Sequence, residues 1–358
     1  MHDLSPSKIL IIRTDRLGDV ILSTPVATTL KKIYPKSQIC FLVRQYTQPV
    51  AEMAAGVDEV IELDDFLDNR GKLQFWRLAQ HIKNQKFDIA IHLHPRPELA
   101  LAAFIAGIPI RIGTGYRIYS LLFNRRQYDH RKNAAFHEAE LNLRLLRQLG
   151  IDDSDVRFEF IALPDAATQI DHILKEHSIS SGDSFAVLHP GSGGSARDWP
   201  LSHFAELADR IAVELKIPVV LTGTAAESAM VEEVRTATSC KPVSLAGKIN
   251  LEMLAALLKR AQLFVSNSTG PLHLAVAMGT EVVAFYPPIT PCRPERWGPY
   301  GRRTDVLMSQ EDECKKCAKS SATDCFCMQA ITVEQAFLKV QEKFVQSQQL
   351  SNEFAPNR

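Results

Sequence analysis

Short apolar runs alternate with amphipathic segments along the whole chain. In the first part, four β-branched runs predict buried strands at 8–12, 38–43, 57–63 and 87–93. The spacing of apolar residues between and after them predicts helices at 26–34, at 75–84 and at 137–149, where Gly150 follows as a C-terminal cap. Strands that alternate with helices indicate a parallel α/β sheet with right-handed crossovers.

A second alternating series begins after a polar stretch at 150–182, in which we place the linker between two domains. Its predicted strands are 185–188, 218–221, 263–266 and 282–285. Its predicted helices are 201–215, 226–236, 251–261 and 333–345, followed by a polar tail that is expected to fray. We therefore divide the chain into α/β domains at 1–165 and 166–332 and a C-terminal segment at 333–358.

Composition supports two folded domains and restricts the partners. The chain has 358 residues, 46% of them hydrophobic and 23% charged, and its 41 basic residues balance 41 acidic ones. One hydrophobic core rarely organises so long a chain, and zero net charge argues against a nucleic-acid-binding protein. Residues 1–7 hold no apolar run, and the most apolar stretch, 99–110, is about half the roughly 20 residues that a membrane helix needs. That stretch predicts a buried helix and a short strand, and we expect a cytoplasmic protein.

Ionisable residues concentrate in the loop after the first predicted strand. This loop contains Arg13, Asp15, Arg16 and then Gly18-Asp19. Ligands of parallel α/β sheets bind beyond the carboxyl ends of the strands, so the loop is a candidate site. Taken alone, Asp19 is better explained as a cap of the helix that begins there, and only the concentration of ionisable groups around it favours a site.

A glycine-rich loop follows the first strand of the second series, with the sequence His-Pro-Gly-Ser-Gly-Gly-Ser-Ala-Arg at 189–197. Backbone amides near Ser192 and Gly193 are suited to a phosphate, and Arg197 could add a charge-assisted contact. A nicotinamide-dependent oxidoreductase would carry an acidic residue at the end of the next strand, where this chain has threonine and glycine. Glu227 comes only later, near the following helix, which disfavours that alternative.

The loop after the third strand of that series is the clearest candidate for a diphosphate site. It contains Ser268, Thr269, Gly270 and Pro271 and leads into an apolar helix. Ser268 or Thr269 is expected to cap this helix, whose N-terminal amides then face the ligand edge. His273 lies about one turn into the helix and is explained equally well as a partly buried structural histidine.

Four of the seven cysteines are clustered: Cys314, Cys317, Cys325 and Cys327. Their spacing, Cys-x2-Cys-x7-Cys-x-Cys, departs from the paired Cys-x2-Cys knuckles of common zinc sites. Reduced thiols or a local disulfide are therefore favoured over a structural zinc ion, which stays as the minority alternative. We expect no cofactor.

Together these motifs resemble glycosyltransferase family 9, the ADP-heptose:lipopolysaccharide heptosyltransferases, over nearly the whole chain. The matching pieces occur in the family's order: Ile9-Leu10-Ile11-Ile12-Arg13, Gly18-Asp19-Val20, Thr24-Pro25, His137-Glu138, Asn142-Leu143, His189-Pro190-Gly191, Trp199-Pro200, Thr222-Gly223, Ser268 to Ala275, Gly298-Pro299-Tyr300-Gly301 and Cys327-Met328. The resemblance implies a GT-B architecture, in which two Rossmann-like, doubly wound domains face a central cleft. The first would bind the acceptor, the second would bind the nucleotide sugar, and the terminal helix would return to the first.

The resemblance also implies roles for individual residues. Asp19 matches the family's proposed general base, and Arg13 and His137, with Arg16 nearby, match acceptor contacts more loosely. The nucleotide-sugar site would comprise Ser192, Gly193, Arg197, Glu227, Ser268, Thr269, Gly270 and His273. One departure is Ser268, where many relatives carry aspartate, so a carboxylate role is lost there.

The implied reaction is inverting transfer of heptose from ADP-heptose to a lipopolysaccharide core or related glycan, without a metal ion. The protein could then contact the cytoplasmic face of the inner membrane peripherally. The residues alone leave other readings open: a GT-B enzyme for another nucleotide sugar, a related epimerase, an NAD-dependent oxidoreductase or a non-catalytic sugar-nucleotide binder. They do not distinguish the nucleotide, the acceptor, the linkage or the oligomeric state.

Overall fold

The computed structural model describes residues 5–131, 134–161, 163–289, 292–309 and 325–353. The chain divides into two compact units, Met1–Ala162 and Leu163–Arg358. This division lies inside the polar stretch at 150–182, where the linker was placed.

The first unit is a six-stranded parallel sheet covered by helices. Its strands are β1 Lys8–Ile12, β2 Gln38–Val43, β3 Glu59–Glu62, β4 Ile89–His92, β5 Ile110–Thr114 and β6 Arg125–Gln127. Its helices are α1 Leu17–Ile21, α2 Thr24–Ile33, α3 Gln48–Met53, α4 Phe75–Gln85, α5 Pro97–Ile105 and α6 Glu138–Leu143. The strand order is β3-β2-β1-β4-β5-β6. Ile9, Leu10, Ile11 and Ile12 have no exposed surface, as expected for a central strand with both faces covered.

The second unit repeats this topology. Its strands are β7 Ala186–His189, β8 Val219–Leu221, β9 Val243–Ser244, β10 Leu263–Asn267, β11 Glu281–Tyr286 and β12 Val306–Met308. Its helices are α7 Pro164–Glu176, α8 Leu201–Arg210, α9 Ser228–Ala237, α10 Leu251–Arg260, α11 Gly270–Met278, α12 Pro294–Trp297, α13 Phe326–Gln329 and α14 Val333–Glu353. The strand order is β12-β11-β10-β7-β8-β9, and every pairing is parallel.

Each sheet has one point at which the direction of strand addition reverses. In the first sheet this point lies between β1 and β4, and in the second between β7 and β10. Loops that leave neighbouring strands in opposite directions open a crevice there, which is where ligands of doubly wound sheets bind. The three candidate loops follow β1, β7 and β10, so the topology places each of them at a switch point.

The structure corrects two predictions about the elements. The helix predicted at 137–149 consists of α6 and a separate 3-10 helix at Arg144–Leu149, although Gly150 does end it in the left-handed conformation at φ 79°. The continuous helix at 201–215 ends in a π-helical turn at Ile211–Leu215. The terminal helix α14 packs on the sheet of the second unit through Phe337, Val340 and Phe344, and its expected return to the first unit stays a prediction. The apolar side chains of α14 are part of the hydrophobic core of the second unit.

Within the described residues, no helix has both the length and the apolar character required to cross a bilayer.

Candidate functional site

Charged side chains at the carboxyl end of β1 surround one buried guanidinium. We call this group the Arg13 cluster: Arg13, Asp15, Asp19, Arg131 and Glu138. Arg13 Nε donates to Asp15 Oδ1 at 2.7 Å, and Arg13 Nη1 donates to Glu138 Oε1 at 3.0 Å. Arg13 Nη2 donates to Asp19, and Arg131 Nη1 donates to Glu138. Each buried charge is thereby paired, which is the condition for its stable burial.

Asp19 is the carboxylate of the cluster with a raised pKa. It lies in the first turn of α1 rather than at the N-cap, which is Arg16. Burial raises the pKa of Asp19, and the charges of Asp15 and Glu138 act in the same direction, while Arg13 opposes them. A carboxylate with a raised pKa accepts a proton more readily near neutral pH, so Asp19 is suited to act as a general base.

Asp15 differs from Asp19 although both contact the same guanidinium. Burial alone would raise the pKa of Asp15, but Arg13 and His94 together hold it below its ordinary value. His94 Nδ1 lies 2.7 Å from Asp15 Oδ2. Asp15 therefore stays charged over a wide pH range and neutralises Arg13.

The three residues predicted to bind the acceptor lie in three different environments. Arg13 is only 2% exposed and donates to Asp15 and Asp19, so it holds both carboxylates in place; its contact with an acceptor stays a prediction. His137 is the N-cap of α6, where its Nδ1 accepts from the amide of Ala139 at 3.3 Å. Arg16 is exposed before α1, and its role in acceptor binding stays a prediction.

A cavity of about 270 Å³ adjoins the Arg13 cluster inside the first unit. Its walls come from the carboxyl ends of β4, β5 and β6 and from α6, and Arg131 belongs to both the cavity and the cluster. His92 also lines it and is 2% exposed, and neither of its ring nitrogens has a hydrogen-bond partner among the described residues. Burial lowers the pKa of His92 to about 3, so the ring is neutral and offers one donor and one acceptor.

In the second unit, hydrogen bonds connect the two loops at the switch point. Asn267, the last residue of β10, accepts from the amide of Trp199 at 2.8 Å and donates to the carbonyl of Pro190 at 2.6 Å. Ser195 Oγ donates to the carbonyl of Ser268 at 2.9 Å. The loop after β7 and the loop after β10 are thus fixed to each other.

The Glu227 carboxylate lies against the glycine-rich loop. It accepts from the amide of Gly193 at 3.1 Å and from the amide and hydroxyl of Thr224 at 2.8 Å each. Burial opposes ionisation here, but the hydrogen bonds from Thr224 and Gly193 hold the pKa of Glu227 below its ordinary value. A Cβ at position 191 would lie 2.1 Å from Glu227 Oε1, so Gly191 is required for this approach. The glycine-rich loop and Glu227, which were both predicted to belong to a nucleotide site, are therefore adjacent.

The N-terminus of α11 differs from its expected form in one respect. Thr269 is the N-cap, and Pro271 lies in the first turn as predicted, but the Thr269 side chain makes no capping hydrogen bond. The first amides of a helix have no partner within the helix. Pro271 has no amide proton and the Leu272 amide donates to the Thr269 carbonyl at 3.2 Å, so the Gly270 amide and the positive end of the helix dipole are the groups suited to an anionic ligand.

The other predicted donor residues lie at the same edge of the second sheet. Ser192 and His273 are buried, in the loop after β7 and the first turn of α11 respectively, and Arg197 is half-buried between β7 and α8. Their contact with a ligand stays a prediction. Asp198, which the motifs did not single out, has a buried Oδ1 without a hydrogen-bond partner among the described residues, and burial raises its pKa.

The cysteine cluster is described only in part. Cys314 and Cys317 lie outside the described residues, while Cys325 and Cys327 are buried in the core of the second unit. Within the described ranges, no group of three or more histidine, cysteine, aspartate or glutamate side chains is arranged to hold a metal ion.

Sequence reasoning did not select Glu138, Asn142, Arg131 or His92 as site residues. Glu138 and Asn142 are fully buried on α6, four residues apart, so they share one face, and that polar pair in an otherwise apolar stripe was a usable signal. Nothing in the sequence distinguishes His92, because its unpaired nitrogens depend on how the surrounding residues pack.

Each Rossmann-like unit carries a candidate site, which is the Arg13 cluster in the first unit and the pair of loops after β7 and β10 in the second. The family model of glycosyltransferase family 9 (heptosyltransferase) matches residues 75–326. The chain is 31% identical to a putative glycosyltransferase of Haemophilus influenzae, over 82% of this chain and 86% of the relative. It is 24% identical to the lipopolysaccharide core heptosyltransferase OpsX of the same species, over 87% of each.

A solved structure shows the same fold. The Escherichia coli ADP-heptose lipopolysaccharide heptosyltransferase II superposes with a TM-score of 0.77 at 22% identity, covering 95% of this chain and 99% of that one. The predicted fold class, an α/β protein of two Rossmann-like units of the GT-B type, is confirmed. The chain belongs to glycosyltransferase family 9, and the oxidoreductase and non-catalytic alternatives are set aside.

Proposed function

We propose that the protein transfers heptose from ADP-heptose to a lipopolysaccharide core or related glycan acceptor, with inversion at the anomeric carbon. The observation that carries this proposal is Asp19, a half-buried carboxylate with a raised pKa that a buried arginine holds at the switch point of a sheet. The similarity to a lipopolysaccharide core heptosyltransferase and to an ADP-heptose lipopolysaccharide heptosyltransferase supports the sugar, the nucleotide and the acceptor class.

The first unit carries out the acceptor half of the reaction. Asp19 accepts the proton of the acceptor hydroxyl while the hydroxyl oxygen attacks the anomeric carbon of the donor. Arg13 and Glu138 fix the carboxylate, and Asp15 supplies the compensating charge. A single displacement of this kind inverts the anomeric centre.

The second unit carries out the donor half. As the bond between the sugar and the diphosphate breaks, negative charge develops on the leaving ADP. The Gly270 amide at the N-terminus of α11, the amides near Ser192 and Gly193, and Arg197 stabilise that charge, so the proposal requires no divalent cation. Glu227 accepts hydrogen bonds from the ribose hydroxyls in place of its present bond to Gly193.

The cavity beside the Arg13 cluster holds a sugar of the acceptor. Its volume of about 270 Å³ suits one monosaccharide ring, and Arg117, Gln127 and Arg131 in its otherwise largely apolar wall can hydrogen-bond to sugar hydroxyls. A bound hydroxyl would supply the hydrogen-bond partner that His92 lacks. Because the acceptor is lipid-linked, we also propose that the protein acts at the cytoplasmic face of the inner membrane.

Calorimetric titration with ADP-heptose, UDP-glucose, GDP-mannose and NAD, followed by a transfer assay with a purified core acceptor, tests the proposal. We expect binding and transfer with ADP-heptose only. Binding of NAD without binding of any nucleotide sugar would overturn it, and transfer from a UDP- or GDP-sugar alone would overturn the assignment of the nucleotide.

A further inference from the structure

One face of the first unit exposes large apolar side chains that the proposed reaction does not use. We call it the Ile118 face: Leu101, Phe104, Ile105, Ile118 and Leu121. Ile118 is 96% exposed and Leu121 is 76% exposed, and the other three are exposed on α5. Soluble proteins rarely group such side chains without a partner surface.

The five side chains come from two elements that contact each other. Leu101, Phe104 and Ile105 are spaced by three and one along α5 and therefore share one helix face. Ile118 and Leu121 lie on the 3-10 helix Ile118–Leu122, which packs against α5. Arg111 joins the two, because its Nε donates to the carbonyl of Leu122 at 2.8 Å and its guanidinium lies 5.1 Å from the centre of the Phe104 ring.

The charge of the same segment has one sign. Residues 99–128 contain four arginines, Arg111, Arg117, Arg125 and Arg126, and neither aspartate nor glutamate, in a chain whose total charge is zero; Glu98 and Asp129 lie directly outside this segment. Arg126 lies beside the 3-10 helix, since its Nε donates to the carbonyl of Phe123 at 3.0 Å. The neighbouring helix α4 adds Arg77 and Lys83 and no acidic residue.

We propose that the Ile118 face docks the protein on an anionic lipid bilayer. Apolar side chains that enter the headgroup boundary, surrounded by arginines that meet lipid phosphates, are the two components of reversible interfacial binding. A partner protein would need acidic groups to match the arginines. An anionic bilayer supplies both the negative charge of its headgroups and an apolar interior for the exposed side chains. This proposal depends on the proposed function in one respect, which is that the acceptor is linked to a lipid.

Co-sedimentation of the full-length protein with vesicles tests the proposal. One vesicle set contains phosphatidylcholine alone, and the other contains phosphatidylcholine with phosphatidylglycerol. We expect binding to the anionic vesicles only, weakened by added salt, and a partition coefficient at least tenfold lower for the Ile118→Asp/Leu121→Asp variant. The matched control, Val213→Asp/Leu338→Asp, replaces two other exposed apolar residues, in the second unit, and should bind like the wild type.

Equal binding of the two double variants, or absence of wild-type binding to anionic vesicles, would overturn the proposal. So would a wild-type dimer in solution that the Ile118→Asp/Leu121→Asp variant dissociates, because the face would then cover a second copy. Circular dichroism and transfer to a delipidated, water-soluble acceptor should be unchanged in both variants. Vesicle binding without any heptosyl transfer by the wild type would defeat the proposed function and leave the docking surface intact.

Discussion

The two switch points of this molecule occupy equivalent places in equivalent sheets but are built from different chemistry. At the first, after β1, the Arg13 cluster consists of charged side chains that neutralise one another. At the second, after β7 and β10, glycine, serine and threonine leave backbone amides at a helix start without a side-chain cap. A proton acceptor needs a carboxylate whose pKa is raised and whose position is fixed, and buried ion pairs achieve both. An anion site needs donors that are not already neutralised, and backbone amides provide them.

The contrast is tested most strongly by Asp19→Asn. This substitution keeps the size and a hydrogen-bonding oxygen but removes the base, so we expect kcat to fall by about 100- to 10,000-fold. Asp15→Asn, in the same cluster, keeps the base and should retain activity to within about tenfold. Steady-state transfer rates at saturating donor and acceptor measure both, and equal losses in the two variants would contradict the assignment of the base.

Glu138→Gln should change the pH profile as well as the rate. The Glu138 charge raises the pKa of Asp19, whose ordinary value is 3.8, so removing that charge should lower it. The wild-type kcat should fall as pH drops through a pKa above 3.8, because protonated Asp19 is no longer a base. In Glu138→Gln this acid limb should move to lower pH, while a shift to higher pH would show that Glu138 does not act on Asp19.

At the second switch point, Gly191→Ala should weaken donor binding. The new Cβ would collide with Glu227 Oε1 and displace the carboxylate. Losing one such contact corresponds to about a tenfold rise in the donor KM, since about 1.4 kcal/mol is a factor of ten. Gly182→Ala is the matched control, because no atom lies within 4 Å of its added Cβ. We expect the acceptor KM of Gly191→Ala to be unchanged, because the substitution lies in the second unit. An unchanged donor KM would refute the predicted role of Glu227.

The smallest effect is expected for His92→Leu, which should raise stability and weaken acceptor binding. Removing two unpaired buried nitrogens should stabilise the fold by about 1 kcal/mol at pH 7. Because the folded pKa of His92 is about 3 and its ordinary value is 6.5, the wild type loses stability as pH falls below 6.5. The advantage of the variant in urea unfolding should therefore grow between pH 7 and pH 5, and its acceptor KM should rise a few-fold. A variant less stable than the wild type at pH 5 would contradict this account of His92.

The sequence predicted the parts of the fold that rest on continuous apolar runs. The central strands β1, β2, β7 and β10 and the loops after them were predicted because both faces of these strands are buried. Edge strands β6, β9 and β12 were not predicted, since they are only two or three residues long, which is too short for a period-two pattern even in the apolar β12. The packing of α14 was not predictable, because an apolar stripe does not indicate which core it covers.

The candidate site was predictable to a different extent in the two units. Glycines and a helix start near Thr269 are local signals, so the sequence was enough to place these loops after β7 and β10, while their binding of a donor stays a prediction. The Arg13 cluster depends on Glu138, which is 125 residues away from Arg13, and pairing at that distance is visible only in the folded chain. This is why the ion pairs of Arg13 with carboxylates of its own unit were not predicted.

The most direct test of the central claim is mass spectrometry of a purified lipopolysaccharide core acceptor after incubation with ADP-heptose, the protein and a metal chelator. The account predicts one added heptose for each ADP released by the wild type, and none by Asp19→Asn over the same time. Equal yields from the two proteins, or no product from a wild type that binds ADP-heptose, would contradict it.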